Sequence, residues 1–120
     1  MTKFRVDLVL DCAEPKALEA FWADALRYHV HLSLPSIVVL VPTDGEGPPL
    51  VLQQVPEPKV AKNRMHLDIT CDDIEAEVER LERLGAKRTH DGARSLGDTR
   101  WVTLTDPVGN EFCVCTGVEW

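Results

Sequence analysis

Basic charge is scarce in this chain. Lysine and arginine number 13 against 20 acidic residues, giving a formal net charge of −7 with neutral histidines. That balance argues against a phosphate-backbone binder, which needs a basic face. It also argues against attraction to anionic lipid. No apolar run reaches the roughly 18 residues of a membrane-spanning helix. Met1 to Asp7 contains no apolar stretch of the signal-peptide kind, so export is not expected. A Cys-x-x-Cys pair is missing too. Cys113-Val114-Cys115 has no second pair to complete a zinc site. The thiols of Cys12, Cys71, Cys113 and Cys115 are therefore expected to be reduced, with Cys12, Cys71 and Cys115 packing as small apolar side chains. An apolar share of 44% in 120 residues is enough for one core without staples. The expectation is one acidic, cytoplasmic domain over 1–120.

The apolar pattern changes period along the chain. Residues 4–12 alternate, with Val6, Leu8, Leu10 and Cys12 on one face and Asp7, Val9 and Asp11 on the other, which predicts a strand. Glu14-Pro15 then opens a helix with proline at its first position. Leu18, Phe21, Trp22, Ala25 and Leu26 form its apolar stripe. Strands are predicted over 28–32, 36–41 and 50–55. Prolines at 56 and 58 make 56–62 a linker. The order then restarts. Residues 63–71 alternate Met65, Leu67, Ile69 and Cys71 against Arg64, His66, Asp68 and Thr70. Asp72-Asp73 can cap a helix striped by Ile74, Val78, Leu81 and Leu84, supported by a Glu79–Arg83 pair and stopped by Gly85. Strands over 86–90, 99–105 and 110–116 follow, the last two joined by a turn at Asp106-Pro107-Val108-Gly109.

The chain thus reads β-α-β-β-β twice, with modules of about 1–55 and 63–120. Asp7-Leu-Val-Leu-Asp-Cys12 lies 59 residues before His66-Leu-Asp-Ile-Thr-Cys71. In both, a cysteine ends the strand and an acidic cap follows. This is an internal repeat of a unit too small to bury itself. The apolar face of each first strand belongs under the following helix. The opposite, mixed face is either wetted, as antiparallel sheets often are, or lines a ligand cleft.

These features together resemble the vicinal-oxygen-chelate superfamily, the group of glyoxalase I, bleomycin-resistance proteins and extradiol dioxygenases. The resemblance is carried by Leu10-Asp-Cys-Ala-Glu-Pro15 with Phe21-Trp22, by Pro56-Glu-Pro-Lys59 running into Lys62-Asn-Arg-Met-His-Leu-Asp68, and by Trp101 with Asp106-Pro-Val-Gly-Asn-Glu-Phe112. It implies an α+β fold in which two βαβββ modules form a cup-shaped, glyoxalase-like eight-stranded sheet with the site in the cup. It also implies a homodimer. In metal-dependent members, two ligands sit on first strands and two on last strands. Here those positions fall on Asp7, His66, a residue near Gln53 (or its neighbour Gln54), and Cys113. Only His66 matches the usual His and Glu set. Asp7 could ligate through oxygen and Cys113 through sulfur, which leaves His66, Asp7 and Cys113 as metal candidates. The departures weigh against a bound divalent metal. Arg27 is a further departure, where such helices tend to end in glycine.

His66 is the most informative position. It is either a solvated, salt-bridged strand histidine or a group lining the site, and it is the best candidate for a catalytic base. Asp7 and Asp68 could share a site and split their pKa values, or simply pair with Arg64 or Arg100. Arg64 and Lys62 could hold an anion or lie in water at the strand start. Cys113 faces the cleft if Phe112 and Val114 pack under the helix, as a wall rather than a nucleophile. Trp101 is either core or an aromatic wall suited to a flat ligand, whereas Trp22 belongs to the core. His29, His31 and His90 show no partner pattern and read as surface or edge-strand residues. The substrate-binding set is therefore Asp7, Gln53, Arg64, His66, Asp68, Trp101 and Cys113. The expected function is small-molecule binding, with lyase, isomerase or oxygenase chemistry over a degenerate metal site left open. The alternative is non-catalytic sequestration of a drug or metabolite.

Overall fold

The computed structural model describes residues 5–118. These residues divide between Lys59 and Val60 into two compact units. The first runs β1 (Leu8–Cys12), α1 (Pro15–Leu26), β2 (Tyr28–Leu34), β3 (Ile37–Pro42) and β4 (Leu50–Gln54). The second runs β5 (Asp68–Thr70), α2 (Ile74–Leu84), β6 (Lys87–Arg88), β7 (Arg94–Leu96), β8 (Thr99–Thr105) and β9 (Glu111–Thr116). No helix among the described residues is long and apolar enough to cross a membrane.

The two sheets share one plan. In the first, the strand order is β1-β4-β3-β2, with β1 parallel to β4 and the other pairs antiparallel. In the second it is β5-β9-β8-β6, with β5 parallel to β9 and β7 also paired to β8. The repeat reaches down to single bonds. The Cys12 thiol donates to the Gln53 carbonyl at 3.7 Å, and the Cys71 thiol to the Cys115 carbonyl at 3.6 Å. Both cysteines close the first strand of their module against the last.

Against the expected eight strands, the described residues form nine, in two sheets. The additional one arises because the strand matching β2 is broken into β6 and β7. At the break Thr89 keeps its bond to the Thr103 carbonyl, but the Thr103 N–H donates to His90 Nε2 at 3.1 Å. An imidazole has replaced a backbone acceptor, so the ladder cannot continue. His90, expected at the surface or on an edge strand, is half-buried and bonded to β8. Its accepting Nε2 places the ring proton on Nδ1.

Helix ends follow local chemistry. Asp73 caps α2 by accepting from the Ala76 N–H at 3.1 Å. Glu14 stands at the same position of α1, but its side chain makes no cap bond. Caps favour the shorter Asp, Asn, Ser and Thr. Gly85 ends α2 at φ 120°, whereas Arg27 ends α1 at φ 57°. The left-handed region costs a residue with a Cβ about 1–2 kcal/mol, so the departure noted at Arg27 is a local strain. The expected Glu79–Arg83 pair is absent from the ion pairs of the described residues. Helix α2 instead joins Arg80 to Glu77 at 2.7 Å.

Each helix covers one face of its own sheet. Leu18, Phe21, Trp22 and Ala25 pack with Val38, Leu40, Leu50 and Leu52, all nearly inaccessible. Phe21 and Trp22 meet edge to face, with ring centroids 5.1 Å apart. In the second unit Ile74, Val78 and Leu81 pack with Val102, Leu104, Phe112 and Val114. Strand alternation then turns the intervening residues to the opposite face.

Three predicted strands are markedly shorter than expected, the one over 86–90 being reduced to Lys87–Arg88 by the break at His90. The strand over 4–12 begins at Leu8, and Phe4 lies outside the described residues. The strand over 63–71 has ladder only from Asp68 to Thr70. Met65 is 73% exposed, so the alternation does not extend back through it.

Candidate functional site

The open face of the second sheet carries the chemistry. Register pairs Asp68 with Cys113 and Cys113 with Thr103, so three polar side chains stand in a row across β5, β9 and β8. The next row holds Thr70, Cys115 and Trp101, with Arg94 beyond on β7. The segment before β5 is tacked down at two points. The Cys113 N–H donates to the Leu67 carbonyl at 2.9 Å, and the Asn63 N–H to the Glu111 carboxylate at 2.9 Å. These bonds bring Lys62 and His66 to the edge of the row. The result is an open cavity of about 380 Å³, lined among others by His66, Asp68, Trp101, Thr103, Cys113 and Arg94.

At its floor, His66 Nε2 lies 3.1 Å from an Asp68 oxygen. A ligating atom of each of His66, Asp68 and Cys113 falls within 4.8 Å of the others. Thr103 Oγ1 lies 3.4 Å from Cys113 Sγ. Burial pushes the Cys113 thiol up, and Asp68 adds to this, while the Thr103 contact and the charges of Lys62 and Arg94 oppose it. The Cys115 thiol is pushed up to about 12, first by burial, then by the Asp68 charge and by hydrogen bonding to that carboxylate. Both sulfurs are thiols at neutral pH, and neither is a ready nucleophile.

The Cys115 shift has a consequence for stability. A thiol held above its ordinary value of about 8.5 keeps its proton longer in the native state than in the unfolded chain. The associated stability is complete below that value and is lost as pH rises toward about 12. The urea midpoint is therefore expected to fall from pH 8 to pH 10.5, and less steeply in Cys115→Ala. A midpoint independent of pH over that range would contradict the burial of this thiol.

The structure brings His66, Asp68, Trp101 and Cys113 onto one surface. Arg64 is exposed and does not line the cavity. Asp7 belongs to the first unit, where Arg5 holds it at 2.9 Å. Gln53 is exposed on β4 beside Asp11, and Gln54 donates to the Ala13 carbonyl at 3.1 Å. The three-donor cluster takes its carboxylate from Asp68, not Asp7. Arg100, a suggested partner for the carboxylates, lies 3.4 Å from Glu75.

Sequence reasoning missed Arg94, Thr103 and Cys115. Arg94 was findable. Gly97-Asp98 between Leu96 and Thr99 is a two-residue hairpin signal, and a strand before it puts Arg94 opposite Trp101. Gly117 fixes the rim nearby. A Cβ there would sit 2.1 Å from the Asp98 carbonyl oxygen, at a φ of +75°.

This duplicated fold, with a polar cavity on the open face of one sheet, defines a class that sequence comparison identifies. The chain belongs to the glyoxalase-like domain family, whose model matches residues 7–115, and so to the vicinal-oxygen-chelate superfamily. No match was found among curated proteins. Among solved structures, the chain is similar to a glyoxalase/bleomycin resistance protein/dioxygenase family enzyme from Burkholderia phytofirmans (13% identity, TM-score 0.76, covering 94% of this chain and 100% of that one). It is also similar to the fosfomycin resistance protein FosX from Listeria monocytogenes (15%, 0.76, 98% and 96%). A third is the lactoylglutathione lyase from Agrobacterium tumefaciens (21%, 0.68, 97% and 95%). At these identities the likeness is one of fold.

Proposed function

We propose that this protein binds a small molecule on the open face of its second sheet. The observation that carries the reading is the cavity of about 380 Å³, a volume in the range of small-ligand sites, with polar groups converging at its floor and an indole in its wall. Raised thiols favour holding a ligand over attacking one. The His66–Asp68 pair at 3.1 Å supports a second reading, because a carboxylate-oriented imidazole is a general-base arrangement.

The family includes metal-dependent members, and the FosX of Listeria monocytogenes was also solved in complex with manganese(II) and sulfate. His66, Asp68 and Cys113 offer one nitrogen, one oxygen and one sulfur. That set fits a borderline-soft ion of the zinc kind better than manganese, which favours oxygen. These three residues would hold such an ion, and when bound it would supply Lewis acidity at the cavity floor.

A small-molecule library titrated against the protein, with tryptophan emission as the readout, is expected to yield quenching hits. In a Trp120→Phe background, Trp101→Phe is expected to remove most of that quench, since the third tryptophan, Trp22, is buried away from solvent. A library without hits, or hits that quench Trp101→Phe equally, would overturn the reading.

A further inference from the structure

The charge in this cavity runs against the charge of the chain. The protein carries −7 overall, yet two cations, Lys62 and Arg94, line the cavity. Other arginines are neutralised locally: Arg5 by Asp7, Arg80 by Glu77, Arg88 by Glu82 and Arg100 by Glu75. Among the described residues the Arg94 guanidinium has no hydrogen-bond or ion-pair partner. Lys62 has only a 3.4 Å contact to the Asn63 carbonyl. The one carboxylate in the lining, Asp68, is engaged by His66. Arg94 stands opposite Trp101 in the β7–β8 register, so guanidinium and indole share a face.

We propose that the ligand of this cavity is a small aromatic or conjugated carboxylate, its carboxylate bound by Lys62 and Arg94 and its flat body lying against Trp101. The inference rests on the reading of the cavity as a small-molecule site and narrows it to one chemical class. A guanidinium presents paired donors that match a carboxylate, with lysine adding a point charge. A flat apolar body gains most from an indole wall. A cationic ligand would meet the positive charges of Lys62 and Arg94, and a neutral one would leave them unused.

The test compares benzoate, 2-naphthoate and indole-3-carboxylate with their primary amides, by fluorescence titration and calorimetry on the full chain. The carboxylates are expected to bind at least about ten-fold more tightly than the amides, with affinity falling as salt rises. Arg94→Gln and Lys62→Gln are each expected to weaken carboxylate binding about five- to thirty-fold and to leave amide binding unchanged. Arg94→Lys, which keeps the charge and loses the fork, should retain part of it. Arg83→Gln, an equal charge change on the exposed end of α2, should have no effect. Amides that bind as well as the acids would overturn the anion assignment and leave the small-molecule reading standing. Failure of both series would overturn the assignment as well, and the wider library screen decides the small-molecule reading separately.

Discussion

Phe112→Ala is expected to cost the second unit about 3–5 kcal/mol of stability, the range for removing a buried aromatic side chain. Its neighbour Cys113→Ala is expected to cost only about 1 kcal/mol, for the loss of one atom beside an open cavity. Both residues are buried, Phe112 at 1% exposure and Cys113 at 7%, so burial does not separate them. Strand alternation does. Phe112 pairs with Leu104 on the face under α2, whereas Cys113 pairs with Thr103 and Asp68 on the open face. Urea unfolding of the two variants, followed by far-ultraviolet circular dichroism, gives both numbers. Equal losses would mean that both faces of β9 are core and that the cavity is not a site.

The second large effect is expected at Asp106, which is 1% exposed. Its Oδ1 accepts from the Val108 and Asn110 N–H groups at 3.0 and 2.9 Å, and its Oδ2 from Asn110 Nδ2 at 2.8 Å. The Asp106 N–H in turn donates to the Asn110 carbonyl at 2.8 Å. One carboxylate thus organises the whole turn between β8 and β9. Asp106→Ala leaves these donors without an acceptor in a dry place, and bonds to a charged group are worth about 1.5–3 kcal/mol each. A loss of about 3 kcal/mol is expected for alanine, and about half of that for Asp106→Asn, which keeps the Oδ1 acceptor. The same denaturation series reads both. A loss under about 0.5 kcal/mol for alanine, as at an ordinary surface position, would contradict the role of this carboxylate.

Much of the fold was legible in the sequence because periodicity and punctuation agreed. Pro15 and Asp73 start the two helices, and the stripes through Phe21-Trp22 and through Val78 and Leu81 bury as their spacing predicts. The repeat of a strand ending in cysteine is visible as Cys12 and Cys71. The extra strand was less legible. Arg94–Leu96 is too short to show a period, and the break before it depends on His90 reaching a backbone amide across the sheet. Nothing near His90 in sequence signals that contact.

The candidate site divides in the same way. His66 and Asp68 are two residues apart, but only Asp68 lies in the ladder, and His66 is held beside it by the bonds that tack the preceding segment to β9. Cys113 joins them because Phe112 and Val114 are drawn under α2. Thr103 comes from a strand whose pairing sets its place, and pairing register is not written in a single strand, whereas the place of Arg94 is signalled only by the Gly97-Asp98 turn. Local competition for charge was also hidden. Asp7 is engaged by Arg5 two residues away, an exposed pair that periodicity does not reveal.

The central claim is that the open face of the second sheet is where this protein meets its ligand. The most direct test is to record amide and indole resonances of the labelled protein while titrating the best hit of the library screen. The account predicts that shifts concentrate on Asp68, Trp101, Thr103 and Cys113, with α1 and α2 silent. Shifts centred on a helix or on the first sheet, with these four unmoved, would contradict it.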